Sequence, residues 1–488
     1  MREFNPSQTV FSSIGRLNVL GNFEGRDLSS DGGFMLLREA DLALDLLRRA
    51  ALCFADHRNP GSVVHSVPDL LRQRVYSQAA GYPDLNDQKR LRSDPLLSLA
   101  LGHTDGKPLA SPASLCRLEN ALPAAAAADR YRRVAANLAA LERLPVKVFL
   151  EAHPSPPDRI VLDMDATDLP LHGKQEGRHF HAHHDSYCYL PAYVFCGEHL
   201  LLARLRSALI APVVSRIREA WPNVRILLRA DADYAREELM AWCEDEGVDF
   251  LFGLARNPRL EKRIARSLER SRRRCLLSDK PSRRFVEFSH RTLKGTWSRS
   301  RRVVGKAEYL PAKTIGSGDP RPPRANARFV VTSLPQGRVR RRVLYEDVYC
   351  KRAVAEHWIS DQLQMDAGRV SCSAFFANQL RLHFAALAYL LLSGMRRIGI
   401  PDQRRPAGDG HAEGRPGLDV PEPRPRAATV RNRYLKVAVR VRQSTRRVLL
   451  EYSEHCPYRE EFAAMLGRLR AHARPTARAP ALGGPGKP

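Results

Sequence analysis

The amino-acid sequence predicts an α/β protein that follows a helical region and contains a β-rich segment. Between residues 159 and 254, three strand-like apolar runs come first, and further runs then alternate with helix-like segments. This order is typical of a sheet covered by helices on both faces. Residues 30 to 150 show helical spacing of apolar side chains, whereas residues 257 to 341 show short strand-like runs between turn residues.

Length and charge narrow the class of protein. A chain of 488 residues predicts roughly three domains at about 150 residues each. Lys and Arg number 79 against 53 Asp and Glu, so the formal net charge is +26. Such an excess is most simply neutralised by a polyanion, which predicts nucleic acid as the partner. The hydrophobic share of 43% is typical of a globular protein and excludes a disordered or fibrous chain.

The cysteines and the apolar segments indicate the compartment. The nine cysteines are scattered without a C-x-x-C pair, which favours reduced thiols over a disulfide framework. The longest apolar stretch, Phe384 to Met395, is shorter than the roughly 18 to 20 residues that a membrane span needs. We therefore expect a cytoplasmic, nucleoid-associated protein that does not contact a membrane.

Residues 1–150 are predicted to be a helical DNA-binding or dimerisation region. Ser30 and Asp31 precede a run of leucines with helical spacing, Pro68 can open a second helix, and the Ala-rich stretch from Ala121 to Leu144 is read as helical. Ala113 to Asn120 could serve as a recognition helix for DNA. A purely structural packing or dimerisation domain is the alternative.

Residues 151–256 are predicted to form the first part of a catalytic core. The predicted strands and helices are, in order, Ile160 to Asp165, Tyr187 to Phe195, His199 to Leu205, helix Ser207 to Trp221, Val224 to Leu228, helix Ala235 to Cys243, and Val248 to Leu254.

The remaining segments complete the predicted organisation. A β-rich insertion covers 257–341, and the final part of the core covers 342–399 as a largely helical segment. Residues 400–428, rich in Pro, Gly, Asp and Arg, are predicted to be a linker. Residues 429–488 are predicted to be a C-terminal helical region, helical from Arg431 to Leu469, followed by a disordered tail.

Three acidic residues stand out in this basic chain. Asp165 and Asp231 fall at strand ends, where open α/β sheets bind ligands, and Glu356 lies on a predicted helix. Grouped carboxylates can hold two Mg²⁺ ions for phosphodiester cleavage. The alternative is that these acids cap a helix or pair with an arginine. Asp163 and Asp168 compete with Asp165 for the first position, since Asp163 shares its strand face.

Several basic and aromatic residues are candidates for contact with DNA. Tyr349, Arg352 and Glu356 follow spacings of three and four, which places them on one face of an α-helix, where an arginine can clamp a phosphate. Trp297, with Arg301 and Arg302 nearby, could stack on an unpaired base and bind DNA. The alternatives are a solvated helix face and an ordinary core tryptophan. The arginine runs 263 to 274 and 339 to 342 fit either DNA-backbone contact or a solvated surface.

Five short motifs follow one another along the chain. They are Leu162 to Asp168, Pro170 to Gly173, Tyr187 to Pro191, Arg229 to Asp231, and Tyr345 to Glu356. Taken as an ordered set, these motifs resemble those of bacterial DDE insertion-sequence transposases with the Y-x2-R-x3-E signature. The similarity is closest to the family numbered thirteen-eighty, allied to the group numbered four, and spans about residues 30 to 395 and 429 to 466.

The resemblance implies a ribonuclease-H-like catalytic core interrupted by a β-rich insertion, with an N-terminal helical DNA-binding domain. It implies that Asp165, within a D-x-T element, joins Asp231 and Glu356 in holding two Mg²⁺ ions, with Mn²⁺ able to substitute. Tyr349 and Arg352 would contact phosphate. The implied activity is cleavage at the terminal inverted repeats of an insertion sequence and joining of the 3′-OH ends to target DNA, carried out by a homodimer on double-stranded DNA.

Two positions depart from the family pattern. Asp233 stands where the family usually has glycine, and Leu363 stands where a basic residue is expected. Two alternatives to transposition therefore remain at this stage. One is a catalytically decayed transposase that only binds DNA, and the other is a ribonuclease-H-like nuclease without strand transfer.

Overall fold

The computed structural model describes residues 8–14, 17–22, 25, 27–124, 132–181, 185–205, 210–292, 296–312, 321–401 and 424–473. The chain divides into two compact units. Of the described residues, the first unit comprises those within 8–136, 391–401 and 424–473, and the second comprises those within 137–390.

The strands of the described residues are β1 (Gln8–Ile14), β2 (Leu17–Asn22), β3 (Leu28–Ser29), β4 (Phe54–Asp56), β5 (Leu122–Pro123), β6 (Val134–Ala136), β7 (Arg159–Ala166), β8 (Leu169–Pro170), β9 (His179–His181), β10 (Ser186–Tyr189), β11 (Ala192–Cys196), β12 (His199–Arg204), β13 (Arg225–Ala230), β14 (Asp249–Leu254), β15 (Ser282–His290), β16 (Arg301–Leu310), β17 (Arg324–Ala325), β18 (Arg328–Thr332), β19 (Val439–Gln443) and β20 (Val448–Tyr452).

The α-helices are α1 (Phe34–Leu44), α2 (Leu46–Ala51), α3 (Val67–Ala79), α4 (Gln88–Leu91), α5 (Pro95–Leu101), α6 (Pro112–Glu119), α7 (Leu138–Leu141), α8 (Leu144–Glu151), α9 (Ala211–Ala220), α10 (Glu237–Asp245), α11 (Pro258–Ser278), α12 (Arg341–Val343), α13 (Ala353–Gln362), α14 (Phe375–Gly399), α15 (Ala427–Val430) and α16 (Arg459–His472). Short 3₁₀ segments cover Pro60–Ser62, Leu85–Asp87, Ala232–Tyr234 and Cys350–Arg352, and π-helical segments cover Leu344–Tyr349, Leu363–Ala367 and Arg431–Leu435.

The first unit is mainly helical, with two corrections to the sequence-based expectation. Helix α3 starts as predicted, with Ser66 capping it and Pro68 in its first turn. The Ala-rich stretch from Ala121 to Leu144 was predicted to be helical, but its described parts include strands β5 and β6, while 125–131 lie outside the described residues. The predicted helix from Arg431 onward gives way to the hairpin β19–β20, because buried Val439 and Val441 alternate with exposed arginines at the two-residue period of a strand.

The second unit is built on one large sheet, and most of the predicted order of strands and helices from residue 159 to 254 is observed. The predicted strand Tyr187 to Phe195 is wrong: it is divided at Leu190 and Pro191 into β10, which belongs to a small sheet with β8 and β9, and β11, which belongs to the large sheet. The sheet order is β12-β11-β7-β13-β14-β18-β16-β15, with β17 paired to β16. Strands β7, β13 and β14 run parallel to one another, whereas β7, β11 and β12 are antiparallel neighbours. The carboxyl ends of the parallel strands β7, β13 and β14 therefore lie at the same edge of the sheet.

The segment 257–341 does not form a separate β module. It begins with the long helix α11, and its strands extend the large sheet from β14 through β18 and β16 to β15. The free edge of β14 explains the difference, because a buried strand must pair its backbone groups on both sides. The sequence shows the strands of this segment but not the sheet that they join.

The two faces of the large sheet pack against different elements. One face carries Ile160, Leu228 and Phe252, which belong to a hydrophobic cluster with residues of α8, α9, α10 and α11. The opposite face carries Leu227 and Leu251, which pack with Leu344, Tyr345 and Val348 from the helical segment after β18. This second face is the one that leads to the candidate site.

Two further predictions concern the later part of the chain. Most of the predicted linker, 402–423, and the predicted disordered tail from 475 onward lie outside the described residues. Helix α14 is long and apolar enough to cross a membrane by length and composition alone, but 89% of its most apolar window is buried inside the protein. Such burial is typical of a core helix.

Candidate active site

The candidate site lies at the edge where the parallel strands end. Asp165 is the penultimate residue of β7, Asp231 directly follows β13, and Gly253 is the penultimate residue of β14. The carboxyl ends of parallel strands are where α/β sheets bind ligands. Both aspartates predicted from the sequence are therefore brought to the same edge.

A buried ion pair lies one step inside this edge. Asp163 on β7 is registered opposite Arg229 on β13, and two hydrogen bonds of 2.7 Å join the guanidinium to both carboxylate oxygens. Both side chains are less than a tenth exposed. Burial raises the pKa of Asp163, and the charge of Arg229 opposes this shift. Asp163, which competes with Asp165 in the sequence, thus has an arginine partner of its own.

Arg229 also ties the sheet to the helical segment above it. Its Nη1 donates a hydrogen bond to the backbone carbonyl of Val348. In a regular α-helix that carbonyl accepts from the amide four residues later, that of Arg352. The chain around it is irregular, with a π-helical segment to Tyr349 and a 3₁₀ segment to Arg352 before α13. The predicted regular α-helix therefore begins only after Tyr349. The predicted grouping still holds, because the Tyr349 side chain is hydrogen-bonded to Arg352 and Arg352 contacts Glu356.

Asp165 is the most perturbed carboxylate of the edge. Its side chain is 10% exposed, and Arg352 Nη1 lies 2.7 Å from its Oδ2. Burial raises the pKa of Asp165 to about 6, the charge of Arg352 opposes this shift, and the negative charge of Asp231 adds to it. Asp165 and Asp231 each lie two residues beyond the paired Asp163 and Arg229, at the carboxyl ends of the neighbouring strands β7 and β13. Asp231 itself accepts a hydrogen bond of 3.0 Å from the amide of Asp233, and burial raises its pKa too.

Glu356 is joined to this group only through Arg352. Arg352 Nη2 lies 3.4 Å from Glu356 Oε1, and the Glu356 side chain is 60% exposed. The guanidinium thus contacts Asp165 with one nitrogen and Glu356 with the other. Within the described ranges, no three His, Cys, Asp or Glu side chains are grouped closely enough to hold one metal ion. Asp168, the other competitor for the first acid, lies in the short connection between β7 and β8.

Two residues that the sequence reasoning missed complete the site. A methyl group at Gly253 would lie 2.6 Å from the Tyr349 hydroxyl and 2.9 Å from the nitrogen of Ala232, so only glycine permits this approach. A glycine inside a strand is a signal for close approach and could have been noticed. Tyr234 has its pKa raised by burial and by the charges of Asp231 and Asp165, and nothing in the sequence marks it.

Three residues predicted to contact DNA lie elsewhere, and their side chains are occupied within the protein. Trp297 is 4% exposed, and Arg301 binds Glu237 and Glu244, with its Nε 2.7 Å from Glu244 Oε1. Arg302 donates to three backbone carbonyls and to a glutamate. These contacts favour the core interpretation of Trp297, and a DNA contact by any of the three would require breaking them.

Carboxylates beside an arginine and a tyrosine, at a sheet edge of a strongly basic chain, indicate a protein that acts on nucleic-acid phosphates. The family model described as "Transposase DDE domain group 1" matches residues 11–408, and the chain belongs to this family. Its members are DNA-cleaving and strand-transfer enzymes.

Comparisons with other proteins are more distant. A cryo-electron microscopy structure of the piggyBac transposase synaptic complex with hairpin DNA matches with 9% identity and a TM-score of 0.34. The match covers 73% of this chain and 74% of that chain. A search of curated protein sequences found no match.

Arg229→Met should destabilise the protein by about 3 to 5 kcal/mol, because it leaves Asp163 buried without its cation. The check is the free energy of unfolding from urea titration. The exposed Arg225, on the same strand, is the matched control, and Arg225→Met should change stability by less than about 0.5 kcal/mol. The double variant Asp163→Val with Arg229→Met should recover most of the loss; equal instability of the single and double variants would contradict the role of the ion pair.

Gly253→Ala should lower the free energy of unfolding by about 1 to 3 kcal/mol, since the new methyl group meets the Tyr349 hydroxyl and the backbone after Asp231. Gly337→Ala is the control, because nothing lies within 4 Å of a methyl group there. Adding Tyr349→Phe should restore part of the loss and not all of it, because the backbone contacts remain. If Tyr349→Phe changed the stability by the same amount with and without Gly253→Ala, the new methyl group would not be in contact with the Tyr349 hydroxyl.

Proposed function

We propose that this protein is the transposase of an insertion sequence, of the type numbered thirteen-eighty. It binds the terminal inverted repeats as a homodimer on double-stranded DNA, cleaves phosphodiester bonds there, and joins the 3′-OH ends to target DNA by cut-and-paste transposition. The observation that carries the proposal is the convergence of Asp165, Asp231 and Arg352 at one sheet edge. Membership of the DDE family supplies the reaction class.

The sheet order supports a ribonuclease-H-like core for this reaction. The first three strands of the large sheet in chain order, β7, β11 and β12, are neighbours in that order. The fourth and fifth strands, β13 and β14, continue the sheet on the other side of β7. Three antiparallel strands followed by two parallel strands that alternate with helices are what such a core requires. The helical first unit is proposed to bind DNA, and the place of action to be the cytoplasmic nucleoid.

The donor chemistry of the edge fits Mg²⁺. Carboxylate oxygens are the ligands that Mg²⁺ prefers, and a cation between the two partly buried aspartates would offset the charge of Asp231 that raises the pKa of Asp165. We assign Asp165 and Asp231 as the residues that would hold the metal, with Glu356 as the third acid once it is released from Arg352. Two bound Mg²⁺ ions, or Mn²⁺ in their place, would activate the attacking oxygen and stabilise the leaving one.

The protein's own residues would position the DNA strand. Arg352 can offer two nitrogens to a phosphate, which matches the planar geometry of a phosphate clamp. Tyr349, held close to the backbone at Gly253, places a hydroxyl beside Asp231. Arg229 and Asp163 act indirectly, since they fix the segment that carries both residues.

A catalytically inactive DNA-binding protein is the second candidate, and a nuclease without strand transfer is the third. The exposed carboxylate of Glu356, paired with Arg352 rather than with the aspartates, favours the inactive form. The departures at Asp233 and Leu363 agree with it. Strand transfer from a pre-cut end distinguishes a transposase from a nuclease.

Asp165→Asn should abolish Mg²⁺-dependent nicking of a supercoiled plasmid that carries the element's ends, because it removes one of the proposed metal ligands. Affinity for the end DNA in a gel-shift assay should stay within about twofold, since most binding energy comes from phosphate contacts elsewhere. Asp168→Asn is the matched control and should still nick. Nicking by the Asp165→Asn protein, or its loss only in the Asp168→Asn protein, would refute the assignment of the first acid.

The apparent affinity for Mg²⁺ should fall by up to about tenfold per pH unit as the pH drops below about 6. The pKa of Asp165 is raised to about 6, so the carboxyl is ionised above that pH and protonated below it, and a proton competes with the metal. The measurement is nicking rate against Mg²⁺ concentration at several pH values. A constant apparent affinity between about pH 5 and 7 would contradict the assigned role of Asp165.

A further inference from the structure

Helix α11 is the most strongly basic element of the second unit. It covers Pro258–Ser278 and begins five residues after Gly253, which itself lies against the backbone that follows Asp231. Asn257 caps it by accepting hydrogen bonds from the amides of Arg259 and Leu260. The helix therefore starts close to the acidic edge of the sheet and is about 31 Å long.

One face of α11 is fixed to the sheet. Leu260, Ile264, Ser271 and Cys275 are buried. Ile264 packs against the backbone at Gly305, and the Ser271 hydroxyl donates a hydrogen bond to a carbonyl of β16. These contacts hold the helix in one orientation, so the residues on its other faces have defined directions.

A second face presents a row of cations to solvent. At 100° per residue, the members of this row fall within an arc of about 120° and span about 22 Å along the helix. We call them the α11 stripe; they are Arg259, Lys262, Arg266, Arg270 and Arg274, and all five are exposed.

Among the residues that the structure describes, no ion pair neutralises the α11 stripe. Glu269 is paired with Arg272 and Arg273, and Arg263 stacks over the Phe288 ring, so these neighbours have partners of their own. Within the described part of the chain, no acidic side chain forms an ion pair with a member of the stripe. Five like charges held within about 22 Å repel one another, and an external polyanion would relieve this repulsion.

We propose that the α11 stripe binds the phosphate backbone of duplex DNA and holds the DNA that leads into the acidic edge; this rests on the proposed function. About 22 Å corresponds to roughly six base pairs at 3.4 Å each. Four of the five members are arginines, whose planar fork suits phosphate oxygens. Exposed Leu277 follows the stripe on the same face at the end of the helix. A single leucine beside five cations does not make the apolar core of a protein–protein interface, so charge complementarity favours DNA.

The test replaces Arg266, Arg270 and Arg274 with Gln, which keeps good helix propensity. The probe is a fluorescently labelled duplex of about 30 base pairs and arbitrary sequence, titrated at several salt concentrations. The slope of log affinity against log salt should become shallower by about 2 to 3, since each lost phosphate contact removes about 0.9. Replacing the same three arginines with Lys should retain most of the slope, because the charge is kept.

The matched control is Arg143, Lys147 and Arg225 changed to Gln, which removes the same charge from exposed positions. Arg225 lies at the amino end of β13, opposite the acidic edge. Both triple variants have a net charge of 26 − 3 = +23. The control should keep the parental slope. An equal loss in both variants would mean that only overall charge matters, and an unchanged slope in the α11 variant would likewise overturn the proposal.

The same assays separate this inference from the proposed function. A shallower slope in the α11 variant together with nicking by the Asp165→Asn protein would leave the DNA surface in place and refute the catalytic assignment. Loss of nicking in the Asp165→Asn protein with an unchanged slope in the α11 variant would support the catalytic assignment and refute the DNA surface on α11. Circular dichroism spectra and melting temperatures of the Gln and Lys variants report whether each one folds.

Discussion

The candidate site depends on the hydrogen bonds that the buried guanidinium of Arg229 donates. This guanidinium joins three elements: its own strand β13, Asp163 on β7, and the Val348 carbonyl in the helical segment that carries Tyr349 and Arg352. A charge this deeply buried costs several kcal/mol in desolvation, which good geometry and full hydrogen bonding must offset. The two bonds to Asp163 and the bond to a backbone carbonyl provide this. The positions of the outer carboxylates relative to Arg352 follow from where this inner contact holds the helical segment.

The charges at the edge form two successive layers on one face of the sheet. The inner layer, Asp163 with Arg229, is neutral. The outer layer has Asp165 and Asp231 facing one guanidinium, that of Arg352, so it carries an excess of negative charge. The site is therefore locally acidic within a chain of net charge +26. This arrangement suits a metal-dependent reaction on DNA, because the acidic edge favours cations while the basic surroundings favour the phosphate backbone.

The sequence predicts those parts of the fold whose signal is local. The sequence predicts both the strand that carries Asp165 and the strand that Asp231 directly follows, because continuous apolar runs identify buried strands. The features that the sequence does not reveal depend on pairing between segments that lie far apart in the chain. The strands after α11 were recognised, but their continuation of the large sheet depends on the free edge of β14. The burial of Trp297 likewise depends on contacts such as that of Arg301 with Glu237 on α10, which no local pattern reveals.

The contacts of Glu356, the third acid, depend both on local helical spacing and on the tertiary structure. Spacing correctly predicted that Arg352 and Glu356 share a helical face, and the contact between them exists. Spacing could not show that Arg352 also reaches Asp165, a residue 187 positions earlier in the chain. That second contact changes the chemistry of the group, because one guanidinium pairs with two of the carboxylates of the proposed metal site. A divalent cation at Asp165 and a DNA phosphate at Arg352 would each replace one half of this contact. Because either exchange separates the same ion pair, binding of the metal and binding of the phosphate should favour each other at this edge.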